Sequence, residues 1–145
     1  MAGFEMSEWI DAPPQKVFAL LSDLPRASSY VENIKGSVKI TEGPVGVGTK
    51  FEETRIVNGQ EATAELEIRE YDPDYRLAVG NETEGIDVNY IYTLENENGG
   101  TRVNWRAELS ASGLRKMMVP MVAGIMKKED ADHLKWLKQA LEAED

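Results

Sequence analysis

Glu53 and Arg55 stand two positions apart in a stretch whose apolar and polar residues alternate. Side chains alternate across a strand, so an inward-facing Phe51 places both charged side chains on the inward face as well. Buried charges are costly unless they are paired or hydrogen-bonded. The pattern therefore predicts either a structural ion pair at the open end of a cavity, which we favour, or a glutamate that acts as a general base.

A second carboxylate, Glu8, lies between Met6 and Ile10 in the first stretch that alternates like a strand. By the same parity, Glu8 points inward if these two apolar residues do. We therefore treat Glu53 and Glu8 as weak catalytic candidates for a general base.

Metal and nucleophilic chemistry find little support in the sequence. His133 is the only histidine, and it lies in an acidic stretch. A catalytic zinc or iron site needs two or three ligands that converge from one face, so we predict no metal site and expect a solvated or half-buried His133. The sequence has no cysteine for a disulfide, a thiolate ligand or a nucleophile, and no Gly-x-Ser-x-Gly motif for a serine hydrolase. No cofactor is implied.

Length, composition and charge limit the classes to which the protein can belong. With 145 residues, 41% of them hydrophobic and 29% charged, the chain fits one globular domain over residues 1–145. A net charge of -10 argues against nucleic-acid binding and disfavours adsorption to anionic lipid. No apolar stretch is long enough to span a bilayer, and the N-terminus lacks the pattern of a secretory signal. We therefore expect a soluble, cytoplasmic protein.

The apolar periodicity predicts the order of the elements. A strand over 4–10 is followed by a short helix from about Pro14 to Ser22 and a second short helix toward Tyr30. Further strands are predicted over 37–41, 49–57, 61–71, 76–81, 86–95 and 101–110, with turn signals at 58–59 and 98–100. Because one side of these strands is apolar and the other polar, we expect an antiparallel sheet with one wet face.

The dry face needs a cover, and the stretch from Leu114 to about Glu142 has the helical periodicity to provide it. Its apolar residues follow two lines about half a turn apart, at ~100° per residue. The first line comprises Leu114, Met117, Met121 and Ile125, and the second comprises Leu134, Leu137 and Leu141. The helix therefore either twists across a curved sheet or is interrupted near residues 124–128.

Four methionines occur in this stretch, at Met117, Met118, Met121 and Met126. Methionine fills irregular space and adapts to different ligands. Ordinary core packing is the alternative explanation. If a cavity lies beside this helix, we interpret these residues as its lining.

Four segments in this order carry a family resemblance: IDAPPQKVFALLSDLPRASSYV, GPVGVGTKFEETR, YTLENENGGTRVNWRAEL and HLKWLKQALE. With them, the whole chain resembles the START-like superfamily (SRPBCC, Bet v 1-like), in particular its branch of polyketide cyclases, dehydrases and lipid-transport proteins. The resemblance implies an α+β helix-grip fold, in which a curved seven-stranded antiparallel sheet wraps a long C-terminal helix. Two short helices follow the first strand, and a ligand cavity lies between sheet and helix. Tyr30 stands where many relatives have tryptophan.

The resemblance also implies which side chains line the cavity. The aromatic and charged candidates are Tyr30, Phe51, Glu53, Arg55, Tyr90, Tyr92 and Trp105. The candidates on the helix are Met117, Met121 and Ile125.

Three functions are consistent with such a fold. The first is binding of a small hydrophobic or amphipathic molecule in the cavity by a monomer or homodimer. The second is a polyketide cyclase or dehydratase, in which a glutamate serves as general base for an aldol-type cyclisation and Tyr90 or Tyr92 holds the oxyanion. The third is an interaction protein of the ribosome-association or dehydrogenase-assembly type. The acidic net charge weakens the ribosomal version.

Overall fold

A computed structural model of the chain describes residues 2–143. Seven antiparallel strands form one sheet in the order β1-β7-β6-β5-β4-β3-β2. The strands are β1 (Ala2–Ile10), β2 (Ile34–Lys39), β3 (Lys50–Val57), β4 (Gln60–Asp72), β5 (Arg76–Thr83), β6 (Ile86–Glu97) and β7 (Gly100–Ala111). The helices are α1 (Pro14–Ser22), α2 (Val119–Glu129) and α3 (His133–Glu142), with 3₁₀ helices at Leu24–Ser29 and Gly113–Met118. The predicted helix-grip architecture is confirmed.

Short hairpins connect most of the strands. Asn58 and Gly59 have φ angles of 52° and 79°, so the turn between β3 and β4 uses the left-handed conformation that these two residue types tolerate best. Asn98 and Gly99 make the same kind of turn between β6 and β7, with φ angles of 49° and 83°. Both hairpins were predicted from the sequence, because the signal is local.

The sheet curves around a single main core. Register shifts interrupt β2 at Ile34/Gly36 and β4 at Ile68/Glu70, and such bulges bend a strand. The short helix α1 buries Val17, Phe18, Leu20 and Leu21 against the concave face.

The C-terminal helical segment is interrupted. α2 ends at Glu129, residues 130–132 form a turn, and α3 begins at His133. Of the two alternatives left open by the sequence, interruption is therefore correct, although it lies slightly beyond residues 124–128. The turn separates the two apolar lines, so that α3 can bury Leu134, Leu137 and Leu141 while α2 keeps its own orientation. Within residues 2–143, no helix has the length and apolar character needed to cross a membrane.

Candidate functional site

An inner chamber of ≈ 60 Å³ lies between the sheet, the two short N-terminal helices and the start of α3. Tyr30, Tyr92, Trp105 and His133 contribute to its wall. A buried water needs roughly 10–15 Å³, so the chamber has room for a few waters but not for a ligand of ordinary size.

The aromatic wall of this chamber is tightly packed. Trp105 on β7 lies directly opposite Tyr92 on β6, and their rings stack at 5.5 Å with an angle of 13°. Tyr90 stacks on the same indole at 5.6 Å, while the His133 ring lies 4.4 Å from it, centroid to centroid. Phe4 completes the contacts with an edge-on approach at 5.7 Å. Aromatic pairs of this kind add about 0.5–1.5 kcal/mol each beyond the area they bury.

Tyr92 and His133 share a buried hydrogen bond of 2.8 Å between the hydroxyl oxygen and Nε2. Burial, assisted by the positive charge of Arg55, lowers the pKa of His133 to about 3. Burial also raises the pKa of Tyr92. Both groups are therefore neutral at neutral pH, and the imidazole is a hydrogen-bonding partner and not a cation.

Trp105 carries a donor with no partner inside the protein. The residue is 2% exposed, and its Nε1 has no hydrogen-bond partner among residues 2–143. A buried N–H without an acceptor costs about 1–3 kcal/mol. An acceptor oxygen that reached this atom would recover that energy.

A buried cluster of charges joins β3 to the turn before α3; we call Glu53, Arg55, Tyr90 and Asp130 the polar cluster. Arg55 donates from Nε to Glu53 at 3.0 Å and from Nη1 to Asp130 at 3.2 Å. The Tyr90 hydroxyl donates to the other oxygen of Asp130 at 3.5 Å. Glu53 is 7% exposed and Asp130 3%, so both carboxyls are buried. The predicted inward pairing of Glu53 and Arg55 is confirmed.

The electrostatics of the polar cluster follow from burial and proximity. Burial opposes the charged form of Arg55, but Glu53, Tyr90 and Asp130 outweigh it, so the pKa of Arg55 is raised and the guanidinium stays charged. Burial raises the pKa of Asp130 above its usual value, against the opposing influence of Arg55. Burial likewise raises the pKa of Tyr90. Asp130 is thus a carboxyl that binds a proton more readily than it would in water.

An outer groove of ≈ 330 Å³ lies between strands β3–β6 and helix α2. Its apolar lining on the sheet side consists of Val57, Ala62, Ala64, Leu66, Ile86 and Val88. Its lining on the helical side consists of Met118, Val122, Ile125 and Met126. The polar cluster lines both the groove and the inner chamber, so it stands between them. Asn81, Thr83, Glu84 and Glu129 also line the groove. A volume of a few hundred Å³ whose walls are formed largely by apolar side chains is typical of small-molecule sites.

Most of the predicted lining residues do line a cavity. The inner chamber includes Tyr30, Glu53, Arg55, Tyr90, Tyr92 and Trp105, and the groove includes Ile125. Phe51 points inward as predicted, but it is fully buried in the core and lines neither cavity. Glu8 also lines neither; its carboxylate accepts a hydrogen bond from the backbone N–H of Trp9. Contact of any of these residues with a ligand stays a prediction.

The inward orientation predicted for Met117 and Met121 is wrong. Their side chains are 80% and 59% exposed and line neither cavity. Apolar residues occur on every side of α2, so periodicity alone could not say which line faces the sheet. The side that the fold turns inward carries Val122 and Met126 instead.

Two residues of the candidate site were not recognised from the sequence. Asp130 was noted only as a neighbour of the histidine, and His133 was expected to be solvated or half-buried. A signal for His133 exists, since it precedes Leu137 and Leu141 by four and eight residues and thus continues their buried helical line. No comparable signal marks Asp130, because its position depends on where the helix breaks. No group of three or more metal-ligating side chains occurs within the described part of the chain.

The sheet, the interrupted helical cover and the enclosed cavities define an SRPBCC protein of the START and Bet v 1-like superfamily. Residues 1–142 match the family described as polyketide cyclase / dehydrase and lipid transport, and the chain belongs to this family. The fold is typical of proteins with a hydrophobic ligand-binding cavity.

Solved structures agree on the fold. The TTHA0849 protein from Thermus thermophilus is 18% identical with a TM-score of 0.79, and the match covers 98% of each chain. A START superfamily protein from Mycobacterium smegmatis is 11% identical with a TM-score of 0.80 over 97% of each chain. The Zhui aromatase/cyclase from Streptomyces sp. R1128 is 13% identical with a TM-score of 0.79, over 97% of this chain and 93% of that one. No curated protein sequence gives a significant match.

Proposed function

We propose that the protein binds a small amphipathic molecule, with the apolar part in the outer groove and the polar end at the polar cluster. The observation that carries this proposal is the position of the cluster, which places buried hydrogen-bonding groups beside the apolar walls of the groove. Pockets of this composition use apolar walls for affinity and a few fixed polar groups for orientation.

The chemistry of the cluster favours a ligand end that donates hydrogen bonds. The cluster contains two carboxyls but one guanidinium, and the carboxyls already hold Arg55 in place. A hydroxyl or amine on the ligand would meet acceptor oxygens of Glu53 and Asp130, whereas a carboxylate would face like charges. An acceptor oxygen that reached past the cluster could instead use the N–H of Trp105.

Filling the groove tests the proposal. We expect Met126→Trp to lower the affinity for the neutral apolar dye Nile red by at least about tenfold, because the indole occupies space at the groove wall. The matched control is Met121→Trp, which places the same side chain on the exposed side of the same helix. Dye titration by fluorescence, with circular dichroism to verify folding, gives the readout. A folded Met126→Trp protein that binds dye as tightly as the wild type would contradict the proposal.

A second candidate is acid–base catalysis on a polyketide-like substrate in the same groove. The raised pKa of Asp130 and the Tyr90 hydroxyl beside it favour this function, since a carboxyl that binds a proton more readily than usual is better suited to act as a general acid. Glu53, the general base suggested by the sequence, already accepts a hydrogen bond from Arg55. Native mass spectrometry of a co-purified compound over time separates the two functions. A carrier leaves the compound unchanged. A dehydratase lowers its mass by one water, a cyclase changes its chromatographic retention at constant mass, and Asp130→Asn should do neither.

A further inference from the structure

Exposed apolar side chains concentrate on one face of the C-terminal segment. Five of the nine large hydrophobic residues that are exposed within residues 2–143 fall here, and we call them the apolar helix face: Leu114, Met117, Met118, Met121 and Ile125. Leu114 and Met117 are 86% and 80% exposed, which is far beyond the partial exposure of a core residue at its edge. A contiguous exposed apolar patch of this kind indicates an interaction surface.

Basic side chains border this face at both ends. Arg115 and Lys116 lie in the 3₁₀ turn before α2, and Lys127 and Lys128 lie in its last turn. The stretch 114–128 contains no acidic residue, although the whole chain has a net charge of -10. Lys128 follows Met121 by seven residues, about two helical turns, so it lies on the same side as the apolar face.

The four basic side chains are available for an external partner. All four residues are exposed, and none forms an ion pair in the part of the chain that the structure describes. Four acidic residues line the adjacent groove, and Arg55 pairs with two of them, Glu53 and Asp130. Glu129 already accepts a hydrogen bond from the backbone N–H of Asn58, and Glu84 adjoins Gly85, against which the Arg115 side chain packs. The segment 114–128 therefore carries a positive charge of its own, although the whole chain is acidic.

We infer that the apolar helix face docks reversibly on a membrane surface that contains anionic lipid. Exposed apolar side chains flanked by lysine and arginine are typical of helices that lie in the bilayer interface, and each basic residue near an anionic leaflet adds to the attraction. A second copy of this chain fits the face less well, because pairing two such faces would bring their basic residues together.

The same segment covers the outer groove. Met118 and Ile125 belong to the apolar helix face and also line the groove. When the protein is docked on the membrane, the edge of the groove therefore contacts lipid. An apolar compound could then pass between groove and bilayer without crossing water. The docking itself does not require the groove to be occupied, so it can be tested without a ligand.

Co-sedimentation with vesicles tests the inference, using vesicles of equal parts phosphatidylcholine and phosphatidylserine and, separately, of phosphatidylcholine alone. We expect the wild type to bind the anionic vesicles and to lose binding as salt increases. Met117→Asp/Met121→Asp and Lys127→Glu/Lys128→Glu should each lower partitioning by at least about tenfold. The matched control is Lys16→Glu/Lys135→Glu, which makes the same change in net charge at exposed lysines outside the face.

Three outcomes would overturn the inference. The first is a wild type that does not bind anionic vesicles. The second is equal loss of binding in the control variant, which would make total charge and not this face responsible. The third is concentration-dependent dimerisation in sedimentation analysis that Met117→Asp/Met121→Asp abolishes, since the face would then belong to a second copy. A loss of Nile red binding in the groove variant affects none of these readouts, so the two proposals fail separately.

Discussion

The outer groove and the inner chamber share the polar cluster as a common wall, yet they are built on different principles. The groove is bounded largely by apolar side chains, which make no directional contacts, so it can accept different shapes. The chamber is bounded by stacked rings and by the Tyr92–His133 hydrogen bond, which fix each other in place. We therefore expect substitutions around the chamber to affect stability, and substitutions along the groove to affect binding.

The largest effect is expected at the wall between the two cavities. Arg55→Met should lower the free energy of unfolding by about 3–5 kcal/mol, because it leaves two buried carboxyls without their cation. Glu53→Gln should cost less, since Arg55 and Asp130 remain as a balanced pair. Urea unfolding gives the measurement, with Arg76→Met as control. Its exposed ion pair with Glu70 should contribute below about 1 kcal/mol.

If Arg55→Met and Arg76→Met lowered the free energy of unfolding equally, the polar cluster would contribute no more to stability than an exposed ion pair. If Glu53 and Arg55 formed an isolated ion pair, removing both residues should cost less stability than removing either one. Asp130 changes that expectation, because the double variant still leaves one buried carboxyl.

The next effect concerns the chamber and depends on pH. The native pKa of His133, about 3, lies below its usual value of 6.5. As the pH falls below 6.5, the unfolded chain therefore gains a proton that the native state does not bind, and stability falls. The loss should reach about 2 kcal/mol between pH 6.5 and pH 5, at about 1.4 kcal/mol per pH unit. Denaturant unfolding at several pH values measures it.

His133→Gln isolates this contribution, because glutamine can still hydrogen-bond to Tyr92 but has no proton to gain. The variant should show a shallower loss of stability on acidification than the wild type. The raised pKa of Asp130 works in the opposite direction, since a native carboxyl that takes up its proton early gains stability as the pH falls. Asp130 is present in both proteins, so their difference reports on His133. Parallel pH profiles would show that the imidazole is solvated.

The smallest effect on stability is expected in the groove. Val122→Ala should change the free energy of unfolding by less than about 1 kcal/mol, because its side chain is half-buried beside open space. The same substitution at Val103, which is 0% exposed, should cost about 2 kcal/mol. Denaturant midpoints compare the two variants, and dye titration shows whether Val122→Ala alters the affinity for Nile red. If Val122→Ala lowered the free energy of unfolding as much as Val103→Ala, the Val122 side chain would belong to the core and not to the groove.

Local patterns in the sequence were enough to predict the strands, the tight turns and the inward pairing of Glu53 with Arg55. These features are local: alternation fixes the face of a strand residue, and an Asn-Gly pair favours a left-handed turn wherever it stands. Tertiary structure decided the rest. α2 is apolar on several sides, so only packing against the sheet could turn Val122 and Met126 inward and leave Met121 in solvent.

The break before α3 was decided in the same way, and it brings Asp130 to Arg55 across 75 positions of the chain. The distribution of charge, like the orientation of the helix faces, depends on the fold. The total of -10 predicted weak affinity for anionic lipid, but a sum over the sequence carries no positions. The stretch 114–128 already contains the four basic residues, but only the folded chain shows that they lie beside exposed apolar side chains, because exposure and distance in space are properties of the fold.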